Sequence, residues 1–351
     1  MGNNAVQGEG KLTRKKKFFF ACVASVTIVL GLAVVSEVVL RLAGVGPWTK
    51  KDTNIRVEPG GTFFLPHPTL GYTHIPGSFH VTLPDGYDFH VTHLPNTLRV
   101  THPLDTYPSA GDKEEIWIFG CSFTHGWGLN DEDTYAWRLQ EALPEYEVVN
   151  FGTNGYGTLQ SLIQFRDALE TKKPKIAILA YASFHDARNT FLRKRQKNVA
   201  PWNKLGPLTQ PYAGLDRDGH LHYAMAEVVY RPFPLMRHSA LAHFIEMTYN
   251  NYEAWRTDSD GVTEALIDEM AALAAANGIR FVVAFIAGKP YMMDYTRSKG
   301  IPTVDISVDM TLPENSNQPH DNHPSALANR KFAETLEAFL REEDAIQQAK
   351  P

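Results

Sequence analysis

Residues 115–137 read EIWIFGCSFTHGWGLNDEDTYAW, and the fold is decided by how this stretch changes character. Ile116-Trp117-Ile118-Phe119 is a short apolar run that ends abruptly in Gly120-Cys121-Ser122. A loop of small and polar residues follows, and an amphipathic stretch begins near Asp133. A buried strand, a turn and a helix are expected from that order. Ser122 then falls at the carboxyl end of a strand, where open α/β sheets carry their ligands. A serine after a strand is, taken alone, most often a cap or turn residue. Any chemistry at Ser122 therefore depends on partners supplied from elsewhere in the chain.

Downstream, strand and helix patterns alternate. Residues 147–151, 175–181 (KIAILAY), 279–286 (IRFVVAFI) and 302–306 read as strands. The apolar run 175–181 predicts burial on both faces. Helical spacing marks 158–170, 262–275 and 325–343, the last with Phe332, Leu336, Phe339 and Leu340 on one side. This alternation implies a three-layer α/β/α sandwich around a five-stranded parallel sheet with right-handed crossovers. The pattern breaks at about 188–257. There a basic run, Arg193-Lys194-Arg195-Gln196-Lys197, precedes Trp202, Tyr212, Tyr223, Tyr230 and Phe233. Two expectations stand for this insertion: a lid whose aromatics stack on sugar rings, or a solvated excursion whose aromatics form a satellite core.

Upstream, residues 44–111 are rich in proline, glycine, histidine and threonine, and alternating runs such as Ser78-Phe79-His80-Val81-Thr82-Leu83 predict a small β-rich region. Its histidines (His67, His74, His80, His90, His93) lack a compact metal-ligand spacing with carboxylate or cysteine, so surface and packing roles are expected and no metal site. Residues 1–17 are a polar tail ending in Arg14-Lys15-Lys16-Lys17, and 18–43 form an apolar stretch without a charge from Phe18 to Ser36. About 20 apolar residues suffice to cross the hydrocarbon core. Glu37 and Arg41, four apart, can pair at its outer boundary. The basic cluster keeps the N-terminus cytoplasmic and sends the remainder across. A cleaved signal peptide is the rival reading, but the apolar run exceeds a typical signal core and no small-x-small cleavage site follows.

The 351 residues suit one large or two modest domains, and 43% hydrophobic content is that of a globular chain. A net charge of -5 supplies no field for nucleic acid. With only Cys22 and Cys121, in such different contexts, no intrachain disulfide is expected.

Partners for Ser122 lie near the C-terminus, in His320-Asp321-Asn322-His323-Pro324-Ser325, just ahead of the closing helix. A serine hydroxyl needs a base to take its proton, most often an imidazole held in the right tautomer by an acid. His323 can reach Ser122, and Asp321 can orient His323. An oxyanion needs preorganised donors; the backbone N–H groups of Ser122 and Gly155 and a side chain from His185-Asp186 are candidates. No cofactor is required by this chemistry.

Four segments together resemble the sequence blocks of the SGNH (GDSL-like) hydrolase superfamily. They are Gly120-Cys121-Ser122-Phe123-Thr124 with Gly126 and Gly128, Asn150-Phe151-Gly152-Thr153-Asn154-Gly155, Phe184-His185-Asp186, and Asp321-Asn322-His323-Pro324. The resemblance covers about 112–343 of a domain spanning 112–345, and the anchor with its β-rich region is similar to membrane-anchored bacterial members. It implies a flavodoxin-like fold hydrolysing oxygen esters through an acyl-enzyme, with Ser122 as nucleophile, His323 as base, Asp321 as its partner, and Ser122, Gly155 and His185 as oxyanion donors. The chain departs from the pattern in three places. Cys121 replaces an acidic residue and offers a rival nucleophile, although on an extended backbone its side chain points away from that of Ser122. His185 replaces an asparagine, so it either donates to the oxyanion or is structural. The acid stands two residues before the histidine instead of three, where His320 stands; a carbonyl orienting His323, and His320 as base, remain open.

Three function classes follow. The first is a membrane-anchored esterase or deacetylase, facing the extracytoplasmic side, that cleaves O-acyl groups of a carbohydrate or another small ester. The second is an O-acyltransferase using the same serine, and the third is an inactive binding module of the same fold.

Overall fold

A computed structural model of the protein describes residues 13–49, 54–107, 113–200 and 208–348. The N-terminal tail through residue 12 and Trp202 of the insertion lie outside these. In chain order the described elements begin with α1 (Arg14–Leu42), β1 (Arg56–Glu58), β2 (Phe64–His67), β3 (Gly71–His74), β4 (Gly77–Thr82) and β5 (Asp88–His93). The alternating part runs β6 (Glu115–Phe119), α2 (Ser122–His125), α3 (Tyr135–Ala142), β7 (Glu147–Asn150), α4 (Thr158–Leu169) and β8 (Ile176–Ala182). After β8 comes α5 (His185–Asn189), and the insertion that follows contributes α6 (Arg193–Val199), β9 (Thr209–Leu215), β10 (Leu221–Glu227) and α7 (Ala240–Arg256). The chain then closes with α8 (Ser259–Ala276), β11 (Arg280–Ala287), α9 (Pro290–Ser298), β12 (Thr303–Asp305) and α10 (Ala326–Gln348).

Five strands form one parallel sheet in the order β12-β11-β8-β6-β7. Numbered by position along the chain, that is 2-1-3-4-5, the flavodoxin-like doubly wound order, whose switch point lies between β6 and β8. Successive side chains of a strand point to opposite faces, and the core divides accordingly. Trp117 and Phe119 of β6 join Leu179 and Tyr181 of β8, Leu162 and Phe165 of α4, and Leu266 and Met270 of α8. Ile116 and Ile118 turn the other way, with Ile176 and Ile178, onto Leu139 of α3 and Phe332 and Leu336 of α10. Every residue of β8 is buried, as its unbroken apolar run requires. Helix α8 starts three residues before the expected 262 because the Asp258 side chain accepts from Gly261 N–H and caps it.

The β-rich region folds as expected, with β1, β4 and β5 in an antiparallel sheet and β2–β3 as a hairpin. Phe63, Phe79, Val81, Phe89 and Val91 pack there around Trp127, which belongs to the loop after Ser122. In the insertion, β9 and β10 form a hairpin, and Tyr212 packs on a satellite core that includes Tyr72, Tyr156 and Phe191.

The chain divides into two compact units, residues 1–51 with 231–251 and residues 52–230 with 252–351. Within the first, α1 is long and apolar enough to cross a membrane, and none of its residues is buried. Its Arg41 Nε and Glu37 Oε1 are 2.7 Å apart.

Candidate active site

Strand β6 ends at Phe119, and the chain turns sharply through Gly120 and Cys121 into α2, which Ser122 opens. The turn demands glycine at Gly120, where a Cβ would sit 2.2 Å from Thr124 Oγ1. Ser122 is 7% exposed, whereas Cys121 beside it is fully buried. The loop after α2 is held by Arg99, itself buried, which donates to the carbonyls of His125 and Gly126 at 2.7 Å each and of Leu129 at 2.8 Å. The same guanidinium pairs with Asp131 at 3.0 Å.

From the other end of the chain, the loop before α10 brings His323 Nε2 to 3.0 Å from Ser122 Oγ. His323 Nδ1 lies 3.2 Å from Asp321 Oδ2, and the main-chain N–H of His323 donates to Asp321 Oδ1 at 2.8 Å. The indole N–H of Trp127 also donates to Asp321 Oδ2, at 2.8 Å. Burial raises the Asp321 carboxyl, but the hydrogen bonds and charge of His323 and the indole outweigh it, so it lies below its ordinary value. With Asp321 ionised and Nδ1 carrying the hydrogen, Nε2 is left with its lone pair toward the hydroxyl. The ring can then accept the Ser122 proton, and the imidazolium so formed faces a carboxylate. His320 is turned elsewhere: its Nδ1 meets Asp85 Oδ2 at 2.6 Å, and its ring stacks on Tyr87.

Gly155, after β7, has φ of 81°, a region open to glycine, and a Cβ there would lie 2.5 Å from Tyr72 Oη. That tyrosine, from β3, donates to the Asn154 carbonyl at 2.5 Å. The Asn154 carbonyl and the Gly155 N–H belong to one peptide group, so the phenol fixes the plane in which that N–H points. Arg195 donates to the next carbonyl, that of Gly155, at 2.6 Å.

His185 opens α5 after β8 and is fully buried, edge-on to Tyr181 and Phe184. Among the described residues, neither of its ring nitrogens has a hydrogen-bond partner. Burial, with the charges of Arg188 and Arg195, holds the ring well below its ordinary value and so neutral. Phe184 packs on Phe123, which in turn meets the His323 ring, so the loops after β6 and β8 adjoin. Asp186 is otherwise engaged: it accepts from Tyr181 at 3.0 Å and pairs with Lys289 at 2.8 Å. Burial pushes its carboxyl up to about 6 despite the lysine.

Behind α2 lies a group that reading by spacing does not reveal. His74 and His93, distant in sequence from His125, are buried beside it, with His93 Nε2 and His125 Nε2 2.9 Å apart. One nitrogen from each ring lies within 4.8 Å of the others, the spacing of a candidate metal site. The rings of His74 and His93, however, are parallel to within 2° with centroids 4.1 Å apart. An ion on the lone-pair axis of one lies in its plane and is displaced from the other's by about the stacking distance, beyond the ~2.1 Å of a Zn–N bond. These two rings pack on each other in an orientation in which they cannot share an ion.

Sequence reasoning missed Trp127, Tyr72 and Arg99, whose roles rest on contacts between distant segments.

No protein-family model and no curated protein matches the chain. Among solved structures it is similar to a GDSL-like lipase from Bacteroides thetaiotaomicron VPI-5482, at 15% identity over 67% of this chain and 89% of that one, with a TM-score of 0.34. It is similar to the psychrotrophic esterase EstA from a Pseudoalteromonas species at 11% identity, over 66% of this chain and 98% of that one, with a TM-score of 0.37. A two-domain esterase described as active on acetylated mannans is 15% identical over 66% of this chain and 50% of that one, with a TM-score of 0.35.

Proposed function

We propose that this chain is a membrane-anchored serine esterase of the SGNH type, cleaving O-acyl esters through an acyl-enzyme on Ser122. The observation that carries the reading is the 3.0 Å approach of His323 Nε2 to Ser122 Oγ, with Asp321 behind the ring. Ser122 Oγ attacks the acyl carbon as its proton passes to His323 Nε2. The tetrahedral oxyanion is held by the N–H groups of Ser122 and Gly155, with His185 as a third donor. Collapse breaks the ester C–O bond, and His323 returns the proton to the departing alkoxide oxygen. Water then repeats the sequence and frees the acid. Helix α1 supplies the anchor, and Arg14 to Lys17 at its start keep that end cytoplasmic and the catalytic residues outside.

The test uses the full-length protein in detergent with p-nitrophenyl acetate and a fluorophosphonate probe. Turnover and labelling that both vanish in Ser122→Ala are expected. Persistent labelling in that variant would refute the serine as nucleophile. Labelling with slow turnover that a sugar acceptor accelerates would reassign the same acyl-enzyme to transfer.

A further inference from the structure

Helix α7 is built inside out. Along it, Leu241, Phe244, Ile245, Thr248, Tyr252 and Trp255 recur at the spacing of one helical face. Phe244 is 43%, Ile245 52%, Tyr252 49% and Trp255 77% exposed. The buried positions are Ala240, Glu246 and Asn250. A helix on a water-soluble surface turns its apolar stripe inward and its polar face outward; this one does the reverse. Just before it, Leu235 has φ of 64°, a conformation that bulky residues avoid, and its side chain is 70% exposed. Backbone strain is thus accepted where it presents another apolar group outward.

The position of α7 along α1 indicates what covers the stripe. At about 1.5 Å per residue the uncharged stretch from Phe18 to Ser36 is roughly 28 Å long, close to the ~30 Å of a hydrocarbon core. Glu37, the next residue, receives the first turn of α7. Its carboxylate accepts from Ser239 Oγ at 2.7 Å and from the N–H groups of Ala240 and Leu241 at 2.9 Å each. Arg41 completes the joint by donating to the His238 carbonyl at 3.0 Å. The start of α7 is therefore fastened at the level where the uncharged part of α1 ends. Tyrosine and tryptophan, which close the stripe, are the side chains that favour the headgroup region.

We infer that α7 lies in the headgroup layer of the bilayer that α1 crosses, with Phe244, Ile245, Tyr252 and Trp255 inserted among the lipids. This rests on α1 being a membrane span. Its consequence is a second hold on the membrane beside the span.

The experiment places the full-length protein in phosphatidylcholine–phosphatidylglycerol vesicles and measures quenching of tryptophan emission by shallow- and deep-brominated phosphatidylcholine. Alkaline carbonate extraction is run in parallel, with sedimentation in detergent giving the oligomeric state. The wild type should resist extraction and be quenched more by the shallow bromines. Trp255→Phe should lose a large part of that quenching, and adding Phe244→Trp to this variant should restore it. Unchanged quenching in Trp255→Phe with an extraction-resistant protein would overturn the insertion of α7 while leaving the span intact; a dimer in that case would give the stripe to a second copy. Release of the wild type by carbonate would overturn the span, and this inference with it.

Discussion

Asp321→Asn tests the proposed chemistry where its geometry is most constrained. The carboxylate accepts three hydrogen bonds with two oxygens: Oδ1 takes the main-chain N–H of His323, and Oδ2 takes both His323 Nδ1 and the Trp127 indole. An amide has one accepting end and one donating end. If its oxygen stands at the Oδ2 position, its NH₂ meets the His323 main-chain N–H, donor against donor at 2.8 Å. If it flips, the NH₂ confronts the indole and can donate to Nδ1. That forces the hydrogen onto Nε2, the nitrogen that must accept from Ser122. Either arrangement removes the productive tautomer or the loop geometry. The loss expected for a wrong tautomer in a triad is about 10⁴ in kcat. Asp321→Ala creates no such conflict and should retain more activity than the isosteric amide. The assay is p-nitrophenyl acetate turnover with fluorophosphonate labelling rates across pH. A fall in kcat of less than about tenfold for Asp321→Asn would refute the assignment; the carbonyl alternative for orienting His323 would then take its place.

Tyr72→Phe keeps the buried ring and deletes only the hydroxyl that holds the Asn154 carbonyl. Loosening the Gly155 donor without removing it should lower kcat about tenfold, less than the ~10²–10³ that follows outright loss of one oxyanion contact, while KM stays put; a change confined to KM would count against a positioning role. His185→Ala should cut kcat by about 10²–10³, and His185→Asn should recover much of it, if the unpartnered ring donates to the oxyanion; full activity in the alanine variant would make the ring structural. Burial lowers the His74 ring to about 3. Between the ordinary value near 6.5 and about 3, the unfolded chain holds a proton that the folded chain lacks. Stability contributed by the neutral ring is thus present above pH 6.5 and lost as pH falls, by up to about 1.4 kcal/mol per pH unit. Thermal denaturation from pH 7 to 5 should show this loss, with a slope shallower by about one proton in His74→Phe; identical slopes would contradict it.

The sequence alone carried the sheet, because each strand and helix declares itself locally. Ile116–Phe119 and residues 175–181 read as strands from their composition and length, and 158–170 and 325–343 as helices from their period. It also carried Ser122, Gly155 and His323 as candidates, because a turn after a strand and a histidine before the closing helix are short-range signals. What only the tertiary structure decided are contacts between segments far apart in the chain. The Tyr72 bond to Asn154, the Trp127 bond to Asp321 and the Arg99 clasp on the loop after Ser122 leave no trace in spacing. The histidines of the β-rich region likewise gave no sign that two of them stack in a buried group with His125. Helix α7 shows the limit most plainly. Periodicity tells which side chains share a face, but the direction of that face is set by what the rest of the chain packs against, and here the apolar side was left outward.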